Sequence, residues 1–238
     1  MGNDRYIEVF NSDAERNEGY VYTKGNRLSC RLATQRTTDV ILSVGRLSKR
    51  SVIDIGCGDG FFTIRFWDEA KPMSLVALDP AQHAIAIANR NKKDRAIEFM
   101  VGNAHSLPFA NDHFDVALLQ SVLHHDEMPA GIIHEAFRVA REIIIHEPNG
   151  NSPILKLIEK LSPYHREHHE KSYSTRLLRK WIEETGGTII HQKFAGFVPM
   201  FCPDWFARLT KLIEPIVESM PLLNRFACAV QVLNARRK

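Results

Sequence analysis

The chain has 238 residues, 44% of them hydrophobic, and a formal net charge of +3, enough to bury a full core as one domain with appendages. Its lysines and arginines are dispersed rather than striped, which argues against a nucleic-acid footprint, and the one basic run, Arg236-Arg237-Lys238, reads as a terminal tail. No apolar run approaches the roughly 18 residues of a membrane span. Cys30, Cys57, Cys202 and Cys228 lack metal or redox spacing, and the N-terminus lacks the charged-then-apolar pattern of a secretion signal, so free thiols in the cytoplasm are expected.

Residues 1–26 are polar and mixed; Tyr6, Tyr20 and Tyr22 could reach a ligand, although surface packing is the commoner use of such side chains. Residues 28–47, with Leu32, Val40, Ile41 and Leu42, read as a helix leading into the first strand. Val52-Ile53-Asp54-Ile55 then runs as a buried strand into Gly56-Cys57-Gly58-Asp59-Gly60, and Phe61 to Trp67 begins a helix. Glycines at such a turn let backbone approach a ligand closely. The spacing is G-x-G-x-G, not the G-x-G-x-x-G that presents a helix N-terminus to a pyrophosphate. With an acid in front of it, the turn suits a nucleoside carrying a cationic amino-acid arm.

The second strand, Leu75 to Leu78, ends in Asp79-Pro80, placing an acid about 20 residues beyond the glycines where ribose hydroxyls can donate to it. Ile97 to Val101 runs into Gly102-Asn103-Ala104-His105-Ser106-Leu107-Pro108-Phe109, and Phe114 to Leu119 ends at Gln120-Ser121-Val122-Leu123-His124-His125. A helix follows with Ile132, Ile133, Ala136, Phe137 and Ala140 on one face, and Ile143 to Ile145 forms a fifth strand closing on His146-Glu147. Every polar cluster falls at a strand's C-terminal end, where open α/β sheets bind ligands. Residues 151–173, carrying Pro153, Pro163, His165, His168 and His169, should cross the mouth of the site as a lid. Thr175 to Glu184 reads as a helix stopped by Gly186-Gly187, and Thr188 to Ile190 as the sixth strand. From Trp205 to Met220 apolar residues recur at helical spacing, with Pro215 expected to break or kink the helix. That helix reads as packing over the substrate cleft or in a homodimer interface; a membrane surface or lipid-linked substrate is the alternative.

The D-x-G-x-G turn, the Asp79 tip, the Leu-Pro-Phe segment with its following Phe-Asp, and the Leu-His-His after strand four, all within residues 52–150, resemble the class I S-adenosylmethionine-dependent methyltransferases, in particular the small-molecule group that includes the ubiquinone and menaquinone enzymes. The resemblance implies a Rossmann-like, doubly wound α/β fold whose mostly parallel sheet has seven strands. An antiparallel last strand would lie within residues 227–233, and helical lid elements would be added. The whole chain is read as a single methyltransferase domain: residues 1–47 a helical cap, 48–150 the cofactor core, and 151–238 the lid, last strands and amphipathic C-terminal helix. Two features depart from the family. Asn103 stands where it usually has Asp, and Arg138-Val139-Ala140-Arg141-Glu142 runs straight into strand five without the usual Lys-Pro-Gly-Gly turn.

By the same resemblance the cofactor is S-adenosylmethionine and the product S-adenosylhomocysteine. Asp54 lies near the amino group of the methionine arm, and Gly56, Cys57, Gly58 and Gly60 let the chain wrap that arm. Asp79 holds the ribose hydroxyls with Pro80 beside the adenine; Asn103, Ala104 and His105 edge the adenine, and Gln120 and Ser121 line the sulfonium side. A hydroxyl acceptor would use a base, for which His124 and His125 are the candidates, with His146 a further histidine after strand five. No cysteine or clustered acid completes a ligand set with His165, His168 and His169, so no metal is expected. The expected activity is methyl transfer to a small molecule. A non-catalytic binder of the same cofactor and an NAD-dependent oxidoreductase are the rivals, the latter disfavoured by the glycine spacing.

Overall fold

The computed structural model describes residues 19–20, 23, 27–161 and 171–237. Tyr6, Tyr22, His165, His168 and His169 lie outside the described residues. Seven strands form one sheet in the order β3-β2-β1-β4-β5-β7-β6. They are β1 (Ser51–Ile55), β2 (Ser74–Asp79), β3 (Ile97–Val101), β4 (Phe114–Gln120), β5 (Ala140–Pro148), β6 (Gly187–Ala195) and β7 (Val230–Arg237). The first five are parallel, and β7 runs antiparallel between β5 and β6.

Helices cover both faces, which is why β1, β4 and the Ile143–Ile145 centre of β5 run as apolar stretches instead of alternating. On one side Val40, Ile41 and Val44 of α1 (Leu28–Val44), Phe66 of α2 (Phe61–Ala70) and Ile85 and Ala88 of α3 (Gln82–Asn91) pack with Val52, Val116, Leu118 and Ile144. On the other, Ile132, Ile133, Ala136 and Phe137 of α4 (Pro129–Val139) and Leu178 and Ile182 of α6 (Thr175–Glu184) pack with Ile53, Ile55, Leu119 and Ile145. Between these last two helices comes α5 (Pro153–Leu161), which buries none of its residues. Ser174 caps α6, its hydroxyl accepting from the Leu177 amide.

Several boundaries differ from the sequence reading. The fifth strand spans nine residues and takes Ala140 from the helix, because α4 passes into extended backbone with no turn between them. The last strand begins at Val230 and continues to Arg237. Arg236 and Arg237 are therefore not a loose tail: Arg236 pairs with buried Glu142 at 3.0 Å, and Arg237 donates to the Phe137 carbonyl and pairs with Asp112. Pro215 does not break its helix; α7 (Asp204–Ser219) continues through it, with the proline on the exposed side where a missing N–H costs least. In that helix Thr210 and Glu214 face inward while Trp205, Leu209, Leu212 and Ile216 face solvent. The short α8 (Pro221–Ala227) likewise leaves Leu222, Leu223 and Phe226 exposed.

Candidate functional site

Strand order reverses direction between β1 and β4, whose connections leave to opposite sides, and open α/β sheets form a crevice at the C-terminal ends of such a pair. A cavity of about 480 Å³ lies there, with the glycine turn, the tips of β2 and β3 and the segment after β4 among its walls.

The turn after β1 is shaped by left-handed backbone at Gly56, Gly58 and Gly60, with φ of +79°, +55° and +76°. At Gly58 a side chain would also meet the ring of Tyr20, whose Cε2 lies 2.7 Å from where a Cβ would stand. The Gly56 and Cys57 amides both donate to the Leu78 carbonyl, at 2.8 and 3.0 Å, tying the turn to the end of β2. Asp79 completes that tie: it accepts from the Gly58 amide at 2.9 Å and from the Ala81 amide at 2.8 Å. Burial outweighs these donors and pushes Asp79 up to about 6.

Of the sequence-derived site residues, Gly56, Cys57, Gly58, Asp79, Pro80, Asn103, Ala104, His105, Gln120, Ser121 and His125 all line the cavity. Asn103 uses its side-chain oxygen locally, accepting from the His105 amide at 2.9 Å. The His105 ring is bonded through Nε2 to Asp126 at 3.0 Å, a pair joining the loop after β3 to the segment after β4.

Three residues do not line it. Asp54 is buried behind the turn: one oxygen accepts from the Thr63 hydroxyl at 2.6 Å, while Oδ1 has no partner among the described residues. Burial, with a contribution from the Asp79 charge and against the Thr63 bond, pushes it up to about 6. Gly60 caps α2 and is packed against Ala88 and Phe99, so its lack of a side chain serves helix packing. His124 turns from the cavity to Glu147, with Nδ1 2.6 Å from the carboxylate. His146 is also buried away from it, and desolvation holds its imidazole down at about 4, therefore neutral. The C-terminal helix α7, expected over the cleft or in a homodimer interface, contributes no residue to the cavity lining.

Sequence reasoning overlooked Asp59, which accepts from the Tyr20 amide at 3.1 Å and the Thr23 hydroxyl at 2.8 Å, pinning that segment beside the turn. Phe62, Val122, Asp126 and Ile132 are further walls it passed over. Asp59 was visible inside the glycine motif, but its partners lie 36 and 39 positions away and carry no pattern.

A family model described as "Methyltransferase domain" matches residues 53–142. The demethylmenaquinone methyltransferase of Lactococcus lactis is 31% identical to the chain over 121 residues, covering 48% of this chain and 48% of that protein. The chloroplastic 2-methyl-6-phytyl-1,4-hydroquinone methyltransferase of Spinacia oleracea is 30% identical over 110 residues, covering 45% and 32%. The chain thus spans about half, or less, of the length of these curated relatives. Among solved structures, the magnesium protoporphyrin IX methyltransferase of Synechocystis PCC 6803, with S-adenosylhomocysteine bound, superposes with a TM-score of 0.68 over 99% of this chain and all of that one. At 19% identity it shows the shared fold alone, and the segment matched by the family model ends within β5.

Proposed function

We propose that this chain transfers a methyl group from S-adenosylmethionine to a small-molecule acceptor, acting as one domain over its whole length. The observation that carries the reading is the chemistry of the cavity wall. Among the described residues lining it are the carboxylates Asp59, Asp79 and Asp126, two histidines, and no lysine or arginine. A pyrophosphate needs cationic or helix-terminal donors, whereas ribose hydroxyls and a cationic amino-acid arm need acceptors. The partnerless Oδ1 of Asp54, directly behind the turn, adds an unused acceptor to the same side.

In this reading the cofactor, when bound, supplies an electrophilic methyl carbon on a sulfonium. The chain's own residues do the rest. Asp79 accepts from the ribose, with Pro80 next to the adenine and Asn103, Ala104 and His105 along its edge. The Gly56–Gly58 backbone wraps the amino-acid arm, and Asp54 supports it from behind with its negative charge. Gln120, Ser121 and Val122 bound the side where acceptor and methyl meet. Holding the attacking atom, carbon and sulfur in line, away from water, can supply several kcal/mol of the barrier. His125 is the base where the acceptor is a hydroxyl, since His124 is committed to Glu147.

The relatives' names favour a quinone-like ring as acceptor. No helix among the described residues is long and apolar enough to cross a membrane. A cytoplasmic location is supported by four cysteines that are all free. The test is calorimetry of the purified chain with S-adenosylmethionine, S-adenosylhomocysteine and NAD, followed by transfer of label from methyl-labelled cofactor to a panel of hydroquinones. Heat with NAD alone would overturn the assignment. Cofactor binding with no transfer to any acceptor would favour the non-catalytic binder.

A further inference from the structure

Glu147 lies on β5, next to the middle strand of the sheet, and is completely buried. A buried carboxylate is costly unless its oxygens are satisfied, and among the described residues the satisfaction comes from one short segment of another strand's exit. Oε1 accepts from the amides of Val122 at 3.0 Å and Leu123 at 2.8 Å, and Oε2 meets His124 Nδ1 at 2.6 Å. The preceding strand residue holds the same segment from its start. The Ser121 amide donates to the His146 carbonyl at 2.8 Å, and the Ser121 hydroxyl lies 3.3 Å from His146 Nδ1. Ser121 has φ of +57°, a conformation a side chain disfavours and which persists where the surroundings over-determine it.

What is held this way is a wall of the cavity. Val122 lies over Gly56, its Cγ2 2.6 Å from where a Cβ would stand, so the segment is pressed against the glycine turn. His125 lines the cavity while its ring rests on that of His124, with centroids 3.9 Å apart. Neither Glu147 nor His124 reaches the cavity.

We propose that Glu147 and His124 are a positioning couple: the buried carboxylate sets the Ser121–Val122 wall through two amides and sets the His125 imidazole through the ring of His124. The proposal rests on the methyltransferase reading of the cavity for its consequence in cofactor binding, and on geometry alone for its effect on His125. The other titratable groups facing that end of the cavity are His105 and Asp126.

The test uses E147Q, which keeps an acceptor for the two amides but offers an N–H to His124 Nδ1, driving the proton from that nitrogen. E142Q is the control, since Glu142 is another buried carboxylate on β5 whose partners Asn234, Arg50 and Arg236 lie away from the cavity. Nitrogen-15 NMR of the full chain, with the His125 signal identified from H125N, reads the His124 tautomer and the His125 titration midpoint; calorimetry reads S-adenosylhomocysteine binding. We expect E147Q to switch the His124 tautomer, to move the His125 midpoint by about half a pH unit or more, and to weaken binding roughly three- to tenfold, the order of direct coupling between contacting groups. E142Q should lower the unfolding temperature and change neither readout. Where E147Q does not fold, H124N replaces it: asparagine keeps a donor toward Glu147 and removes the ring beneath His125, so the midpoint should again move. A folded E147Q or H124N with wild-type His125 titration overturns the proposal. If the wild type binds no S-adenosylhomocysteine, the methyltransferase reading fails while the NMR arm still decides the coupling.

Discussion

If the cavity takes S-adenosylmethionine as proposed, two carboxyl groups pushed up to about 6 beside its cationic arm and ribose make binding a proton-releasing event. In the ligand-free chain Asp54 and Asp79 are held up chiefly by burial. In the proposed complex, hydroxyl donors on Asp79 and a cationic arm near Asp54 both favour the ionised forms, so the bound state should hold fewer protons. A carboxyl titrating near 6 is about 90% protonated at pH 5 and only about 10% at pH 7, so each one weakens binding roughly tenfold over that interval, or about 1.4 kcal/mol. Acting together, they imply a dissociation constant about a hundredfold larger at pH 5 than at pH 7, with little change above pH 7. Their mutual repulsion, visible in the rise that Asp79 imposes on Asp54, spreads the transition without reversing it.

The stability of the ligand-free chain should move in the opposite sense. A carboxyl raised from 3.8 to about 6 favours the folded state fully below its unfolded value, and that contribution is lost as pH rises through 6. Calorimetry with S-adenosylhomocysteine at pH 5, 6 and 7 in two buffers of different ionisation enthalpy would read both the affinity and the protons released. D54N should remove about half of the logarithmic pH dependence, because one of the two linked groups is gone. Equal affinity at pH 5 and 7 in a folded protein, with buffer-independent heats, would refute the reasoning.

Other outcomes follow from single contacts. Asp79→Ala should weaken S-adenosylhomocysteine binding by about 1–3 kcal/mol, the scale of stranded hydrogen bonds, and an unchanged constant would count against the ribose assignment. Gly58→Ala forces a Cβ into left-handed backbone and against Tyr20; it should destabilise the chain by about 1–2 kcal/mol in denaturant unfolding, and Y20A should relieve only the clash component. Thr63→Val takes from buried Asp54 its only hydroxyl donor among the described residues, and should cost about 1–3 kcal/mol at neutral pH and little at pH 4, where the carboxyl is protonated. Asp59→Ala releases the Tyr20 and Thr23 bonds, so stopped-flow should show faster dissociation of S-adenosylhomocysteine with a smaller change in association.

The glycine-turn side of the cavity was legible in the residues because the information is local. A strand, a glycine turn and an acid at the next strand's tip are encoded by neighbours within a few positions. The left-handed angles at Gly56 and Gly58 and the placement of Asp79 follow from that short-range code. Periodicity likewise located α6 from Thr175 to Glu184 and strand β3 from Ile97 to Val101.

Where side chains point was decided only by packing. His124 and His125 are adjacent and chemically identical, yet one is held inside by a carboxylate from β5 and the other lines the cavity. That difference depends on the 23-residue separation between His124 and Glu147, which no pattern of spacing announces. The same holds for Asp59, whose partners come from a distant segment, and for Arg236 and Arg237, a basic tail on paper and the end of a paired strand in space. Local sequence chose the backbone that can approach a ligand. Long-range burial and hydrogen bonding chose which charged groups meet it, because the cost of an unpartnered polar atom is settled only once the whole chain is assembled.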